Sequence, residues 1–217
     1  MRGKGPMFLE QLCSTIDAQT YRDFEVIVSD DSKDNSVEET CDKLSKIMNL
    51  KYYRNPSEIK RSTVNLNHGI SKATGDFIKV VCQDDFFFEQ DALERIAEAH
   101  KSGAFWVLSG YVHTYDCKQF FKHHVPSFHS KAYDGENLAG SPTALSFLRS
   151  TDERFDENLF WLMDCDFYHR LYLKHGKPHI ISNPGLAVRL WEGQNTNDAN
   201  EGAKATETCY VWRKYNA

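Results

Sequence analysis

Three groups of carboxylates stand out among the 217 residues. Asp30-Asp31 follows the apolar run Phe24-Glu25-Val26-Ile27-Val28, and Asp84-Asp85 follows the run from Phe77 to Cys82. Asp164 and Asp166 come later, behind Phe155-Asp156-Glu157-Asn158-Leu159. Adjacent carboxylates repel one another, so each pair needs hydrogen-bond donors or a cation to balance it. A hard divalent ion held by one or two carboxylates plus substrate phosphates is the arrangement that magnesium and manganese favour. Each group also has a plainer reading. Asp30 could cap a turn, Asp85 could open a solvated loop, and Asp164 or Asp166 could complement a helix dipole. Chemistry is favoured because two pairs fall at matching places after two strands.

The elements that must hold these residues can be read from periodicity. Phe8, Leu9, Leu12 and Ile16 lie on one helical face, and the β-branched run ending at Val28 suits a buried strand. Val37, Cys41, Leu44 and Met48 mark a second helix, Leu50 to Tyr53 a strand, and Thr63 to Ala73 a helix stopped by a left-handed cap at Gly75. Phe77 to Cys82 is a strand, Asp91–Lys101 a helix ending at Gly103, and Ala104 to Ser109 a further strand. Residues 111–131, rich in His, Phe and Tyr, are left unassigned. A helix from Leu162 to Lys174, capped by Gly176, precedes strand-like Ile180-Ile181 and Leu186 to Leu190. Helices alternating with short apolar strands predict an α/β fold with a mixed, mostly parallel sheet flanked by helices. Ligands bind such sheets beyond the carboxyl ends of the strands, so both acidic pairs are expected along one edge. We read a single domain over residues 1–217, with a nucleotide-binding half to about residue 110 and an acceptor-facing half from 111.

Composition narrows the classes. Hydrophobic residues make up 41% and the net charge is -5 without a long basic run, which suits a globular protein and disfavours nucleic acid as a partner. Cys13, Cys41, Cys82, Cys117, Cys165 and Cys209 lie apart with no C-x-x-C pair, so free thiols are expected. No apolar run reaches the ~18–20 residues of a membrane span, and the first residues lack the apolar stretch of a signal peptide. A cytoplasmic location is the default expectation.

Four segments in order carry a family resemblance: Phe8–Ser36 with AQTYRDFEVIVSDDSKDNS, Asn67–Asp85 with NHGISKATGDFIKVVCQDD, Phe155–Leu171 with FDENLFWLMDCDFYHRL, and Arg189–Thr196 with RLWEGQNT. Together they resemble the family 2 glycosyltransferases, which have the GT-A fold, a Rossmann-like nucleotide-diphospho-sugar transferase architecture. The resemblance implies that Asp30 and Asp31 hold the nucleotide base. It also implies that Cys82–Asp85 is a D-x-D-type segment, with Asp84 near the ribose and metal and Asp85 on the metal. Asp164 matches the family's catalytic base. Met163 stands where the family has a glutamate, and Cys82 where the first Asp of the common D-x-D-D form stands. Arg189 and Gln194 fall where the family's C-terminal segment meets the diphosphate. Trp161 is the candidate acceptor platform, with Asp166 beside it, while Trp106 is expected in the core. The implied cofactor is Mn2+ or Mg2+. The implied partners are a nucleotide-sugar donor, UDP- or dTDP-linked, and a glycan, lipid-linked or other hydroxyl acceptor. Peripheral membrane contact stays open. The implied reaction is metal-assisted sugar transfer with inversion, as in polysaccharide biosynthesis.

Other features are weaker. Arg2-Gly3-Lys4-Gly5-Pro6 lacks the P-loop spacing, and His113, His123, His124 and His129 fit no zinc spacing. A sugar-phosphate nucleotidyltransferase should carry a glycine-rich basic loop after its first strand, and none is present. A non-catalytic sugar- or protein-binding relative is the rival from another class. The family normally opens with an apolar strand ending in a P-T-Y-N-like turn, whereas Met1 to Met7 has no apolar run. The sheet is therefore expected to have a gap, a substituted strand or a partner strand at that place.

Overall fold

A computed structural model describes residues 4–194 and 200–216. Helix α1 (Gly5–Asp17) leads to strand β1 (Val26–Asp30), α2 (Ser36–Leu44) to β2 (Leu50–Arg54), and α3 (Ser62–Lys72) to β3 (Phe77–Lys79). The short β4 (Phe86–Phe87) precedes α4 (Ala92–Lys101) and the long β5 (Trp106–Thr114). A hairpin adds β6 (Phe120–His124), and β7 (Leu145–Leu148) follows. The chain ends in α5 (Met163–His175), β8 (His179–Arg189) and α6 (Glu201–Asn216).

Two sheets result. β1 and β2 pair parallel, and six strands form a second sheet in the order β3-β7-β5-β8-β4, with β6 added to β5. β3, β5 and β8 each follow a helix and run in one direction, whereas β4, β6 and β7 run against them. A helical crossover returns the chain to the edge it left, which is why these strands share a direction. The alternating pattern therefore predicts where the long strands fall, although β5 runs on to Thr114 instead of ending at Ser109. The antiparallel insertions β4 and β7 escape it because 2 and 4 residues carry too little periodicity.

Among the described residues no strand joins β1 to β3, and the chain supplies no substituted strand there. Val26 N–H donates to Asn49 and Asn55 N–H donates to the Asp30 carbonyl. This phase turns the backbone groups of Ile27 and Ser29 away from β2. One of them is satisfied from a helix: the Asn65 amide donates to the Ser29 carbonyl at 2.8 Å.

The core of the larger sheet is aromatic. Trp106, Phe147, Phe167 and Tyr168 are essentially fully buried, with Trp106 stacked on Tyr168 and its Nε1 bonded to the Gly176 carbonyl. Trp106 is thus a core residue, as expected. Gly103 and Gly176 adopt positive φ, but Gly75 does not; α3 ends instead at an extended Ala73. β3 stops at Lys79 rather than Cys82 because the chain turns, with Asp85 N–H donating to the Cys82 carbonyl. The two apolar runs after α5 form one strand with an irregular register against β5. All six cysteines are free.

Candidate active site

β4 runs against β8, so its first residue meets the end of β8 and places Asp84 and Asp85 at the edge where β5 and β8 finish. Asp85 is 3% exposed. Its Oδ1 accepts the Arg189 backbone N–H at 3.0 Å, and its Oδ2 accepts the Thr143 hydroxyl at 2.5 Å. Thr143 is also the acceptor for the Cys82 N–H, so one side chain fixes both ends of the turn. Asp84 receives the Trp191 indole N–H on Oδ2 at 2.8 Å. The ligand atoms of Cys82, Asp84 and Asp85 lie within 4.8 Å of one another. Burial, and then the Asp84 charge, push the Asp85 carboxyl well above the ordinary range. Neutral donors hold these carboxylates, and among the described residues neither is in an ion pair. A divalent cation fits this set: Asp84 and Asp85 offer hard oxygens, and a positive charge would relieve their repulsion. The Cys82 thiol is pushed up by burial, so it stays protonated and is a poor ligand for such an ion.

The segment Asn137–Thr143 ties this corner to Asp164. Asn137 Nδ2 donates to Asp164 Oδ2 at 2.7 Å, and six residues on Thr143 reaches Asp85. Fully extended, six residues span at most about 20 Å, which bounds the separation of the two anchor points. Between them the Ser141 N–H donates to the Tyr111 hydroxyl, and Tyr168 donates to the carbonyls of Gly140 and Ser141. Gly140 has φ +94°, and a Cβ there would lie 2.6 Å from the Tyr111 hydroxyl oxygen, so a side chain is excluded. Asp164 sits in the first turn of α5, 8% exposed, with Oδ1 accepting the Cys165 N–H. Burial pushes its carboxyl up to about 6.

The first acidic pair is built differently. Asp30 ends β1, accepts Ser32 N–H and the Tyr52 hydroxyl, and lies 3.1 Å from Arg54. Asp31 makes no hydrogen bond or ion pair among the described residues. It sits one residue beyond the carboxyl end of β1, where the fold presents ligand-facing groups.

The profile of glycosyl transferase family 2 matches residues 6–172, more than half of the chain. The chain belongs to that family. A GalNAc(5)-diNAcBac-PP-undecaprenol beta-1,3-glucosyltransferase of Campylobacter jejuni is 30% identical over 80 residues, 36% of this chain and 26% of that protein. An uncharacterized glycosyltransferase of Rickettsia conorii is 26% identical over 146 residues, 65% of this chain and 23% of that protein. The matches thus cover about a quarter of these relatives' lengths. Residues 1–349 of TarS from S. aureus, solved with UDP-GlcNAc, superpose at TM-score 0.76 with 16% identity, covering 99% of this chain and 65% of that one. A mannosyltransferase from Pyrobaculum calidifontis, solved with GDP-Man and Mn2+, gives TM-score 0.68 with 13% identity, covering 96% and 60% of the two chains. The fold is therefore GT-A.

In this family 2 chain the remaining expected residues fall in different surroundings. Arg189 is buried; its Nε donates to the Asp84 carbonyl and its Nη2 to Gln11, and its guanidinium lies over Phe8. Gln194 donates to the Arg189 carbonyl, closing a turn around Trp191. Asn195 and Thr196 lie outside the described residues. Trp161 is half-buried, with Lys204 over its ring. Asp166 is fully buried and bonded to Arg170, Lys214 and Tyr215, which makes it an anchor between helices rather than an open acceptor contact. His113, His123, His124 and His129 each meet a backbone carbonyl. Thr143 and Asn137 carry no signal in the sequence that marks them as site residues. Trp191 lies within the Arg189–Thr196 segment and is a candidate for stacking on a sugar ring; its indole N–H bonds Asp84.

Among the described residues no helix is long and apolar enough to cross a membrane.

Proposed function

We propose that this chain transfers a sugar from a nucleoside-diphosphate donor to a hydroxyl acceptor, with inversion at the anomeric carbon. The observation that carries this reading is the tether Asn137–Thr143, which holds the buried Asp164 and the Asp84-Asp85 pair on one edge. A buried carboxyl pushed up to about 6 is matched to proton abstraction near neutral pH. Asp164 takes the acceptor hydroxyl's proton while that oxygen bonds to the anomeric carbon and the carbon–oxygen bond to the diphosphate breaks. One displacement of this kind inverts the centre. Asp85, with Asp84, would hold Mn2+ or Mg2+, which when bound supplies counter-charge to the departing diphosphate. Asp31, with its unpaired carboxylate, accepts the imide N–H of a uracil or thymine, which favours UDP- or dTDP-linked donors. Asp30 orients that turn.

Trp161 serves as the acceptor-side surface, and the acceptor class is a glycan hydroxyl, with a lipid-linked glycan the form suggested by the Campylobacter relative's name. Arg189 contributes by positioning Asp84 and Asp85 beneath the diphosphate. The nucleotide half and acceptor half then correspond to residues before and after about 110.

The test is a panel of UDP-, dTDP- and GDP-sugars incubated with glycan and polyprenyl-diphosphate-glycan acceptors, with and without Mn2+, read by nucleoside-diphosphate release and by NMR of the product. Metal-dependent release with an inverted product is expected. Donor binding without turnover on any acceptor would favour the non-catalytic reading instead.

A further inference from the structure

Helix α6 buries a single residue, Val211, and its other contacts with the body of the protein are largely polar. The most concentrated of them comes from Glu207. Its Oε1 accepts the Phe160 N–H at 2.9 Å, and its Oε2 accepts the N–H groups of Trp161 and Leu162, each at 2.9 Å. These residues immediately precede Met163, where α5 begins. The first N–H groups of a helix lack intrahelical partners, and an N-cap side chain normally supplies one. Leu162 occupies the N-cap position here and has no side chain that can do so. The Glu207 carboxylate does not reach those groups; it holds the N–H groups of the three residues that lead into α5, and its negative charge is favourable at the positive end of the helix. Further along α6, Lys214 and Tyr215 bond Asp166, and Lys214 and Tyr210 bond Asp156. α6 therefore brackets residues 156–166, the stretch that carries Trp161 and Asp164.

The hydrogen bonds of Asp164 come from two places. Oδ1 is held by the Cys165 N–H of its own helix, whereas Oδ2 is held by Asn137 of the preceding segment. Glu207 holds the entry of the helix that carries the first of these, and among the described residues it makes no hydrogen bond to Asn137. If the start of α5 shifts, Asp164 moves with it relative to Asn137 and to the acceptor hydroxyl. A displacement near 1 Å is enough to cost about 100-fold in rate.

We infer that Glu207 is a positioning residue for the transfer step, fixing the entry of α5 and so the aim of Asp164. The inference rests on the reading of Asp164 as the base. It is tested with Glu207→Ala and Glu207→Gln in the full chain, the glutamine keeping one carbonyl acceptor. UDP with Mn2+ serves as the binding probe by calorimetry, and kcat is measured on the donor–acceptor pair returned by the panel above. Glu207→Ala should lower kcat by about 10- to 100-fold, with Glu207→Gln between it and wild type, while UDP affinity stays within twofold. Amide exchange at residues 160–165 should quicken in both variants while β5 and β8 remain protected. Wild-type kcat in Glu207→Ala, or unchanged exchange at 160–165 in Glu207→Gln, would overturn the inference. So would a parallel loss of UDP affinity and kcat in Glu207→Gln, which would mark a general loss of structure. Asp164→Asn separates the two readings. If it transfers normally, the base assignment fails. If it is inactive while Glu207→Ala is fully active, only the role of Glu207 fails.

Discussion

At the end of β1, Asp30 lies against Arg54 and Tyr52, whereas at the start of β4 Asp85 lies against a threonine hydroxyl and a backbone N–H. Asp164 resembles Asp85 in this respect, held by Asn137 and a backbone N–H. The protein does have cations to spend on buried acids: Asp166 has Arg170 and Lys214, and Asp156 has Lys214. Half-buried Lys79 turns its ammonium to the carbonyls of Thr143 and Leu145, and desolvation lowers it to about 7. Two adjacent-carboxylate pairs that look alike in sequence are thus opposite electrostatically. Asp30 is balanced by the fold itself, whereas burial penalises the charged forms of Asp85 and Asp164, a cost that a ligand can offset.

The largest effect is expected at Asp164. Asp164→Asn should retain UDP binding and lose transfer by about 10²- to 10⁴-fold, because an amide cannot take the acceptor's proton. Single-turnover measurements check this, and near-wild-type transfer would place Asp164 with the structural acids instead.

Asp85→Asn should remove the Mn2+-dependent part of donor affinity, at least about 100-fold by calorimetry if the carboxylate is a direct ligand. The asparagine can still accept the Arg189 N–H and donate to Thr143. Metal-free Asp85→Asn should therefore fold, and at pH 8 its melting midpoint should exceed wild type, by about 2–4 °C for each ~1 kcal/mol relieved. Asp30→Asn should do the reverse, losing about 1–3 kcal/mol through a charged hydrogen bond removed from Arg54 and Tyr52. Equal signs for the two melting shifts would erase the contrast.

A pH profile gives the smallest and most specific effect. With Asp164 at about 6, the acid limb of kcat should fall near pH 6 rather than near 4, as the base becomes protonated. The sign for stability is opposite. A carboxyl whose native value lies above its unfolded 3.8 favours the folded state increasingly as pH falls from above 6 toward 4, and the gain is then complete. Asp156 and Glu25, held at about 2, lose stabilisation below their ordinary values as acid protonates them.

The sequence made the three carboxylate clusters legible because two follow long apolar runs and one opens a periodic helix. Elements with a full period, such as α5, were placed to within a residue or so. What could not be read were the groups that aim the carboxylates. Asn137 and Thr143 lie in a segment with only short 3-10 turns and β7, so no periodicity marks them. Glu207 lies far along the chain from the turn it holds at the entry of α5, and only tertiary packing brings them together. The paired cation of Asp30 was equally hidden, since Arg54 comes from a neighbouring strand rather than from the same turn.

The break between β1 and β3 also leaves a seam in the backbone hydrogen bonding among the described residues. β1 and β2 share a small apolar cluster with α1 and α2, centred on Leu9, Cys13, Val37, Cys41 and Leu50, which meets the larger core at Val26, Met48 and the Leu12–Ile16 face of α1. With no backbone ladder across the break among the described residues, this corner is joined to the rest through side chains such as Asn65 and His68 of α3. Cooperative opening follows such seams. Hydrogen exchange should therefore resolve two units, with β1–β2 amides opening at a lower free energy than those of β5 and β8. Because the first unit carries Asp30 and Asp31, a nucleotide bound there and at Asp84-Asp85 would bridge the seam. Its binding should raise the protection of β1 and β2 more than that of the central strands, giving the donor a second role as the fastening between two halves of the fold.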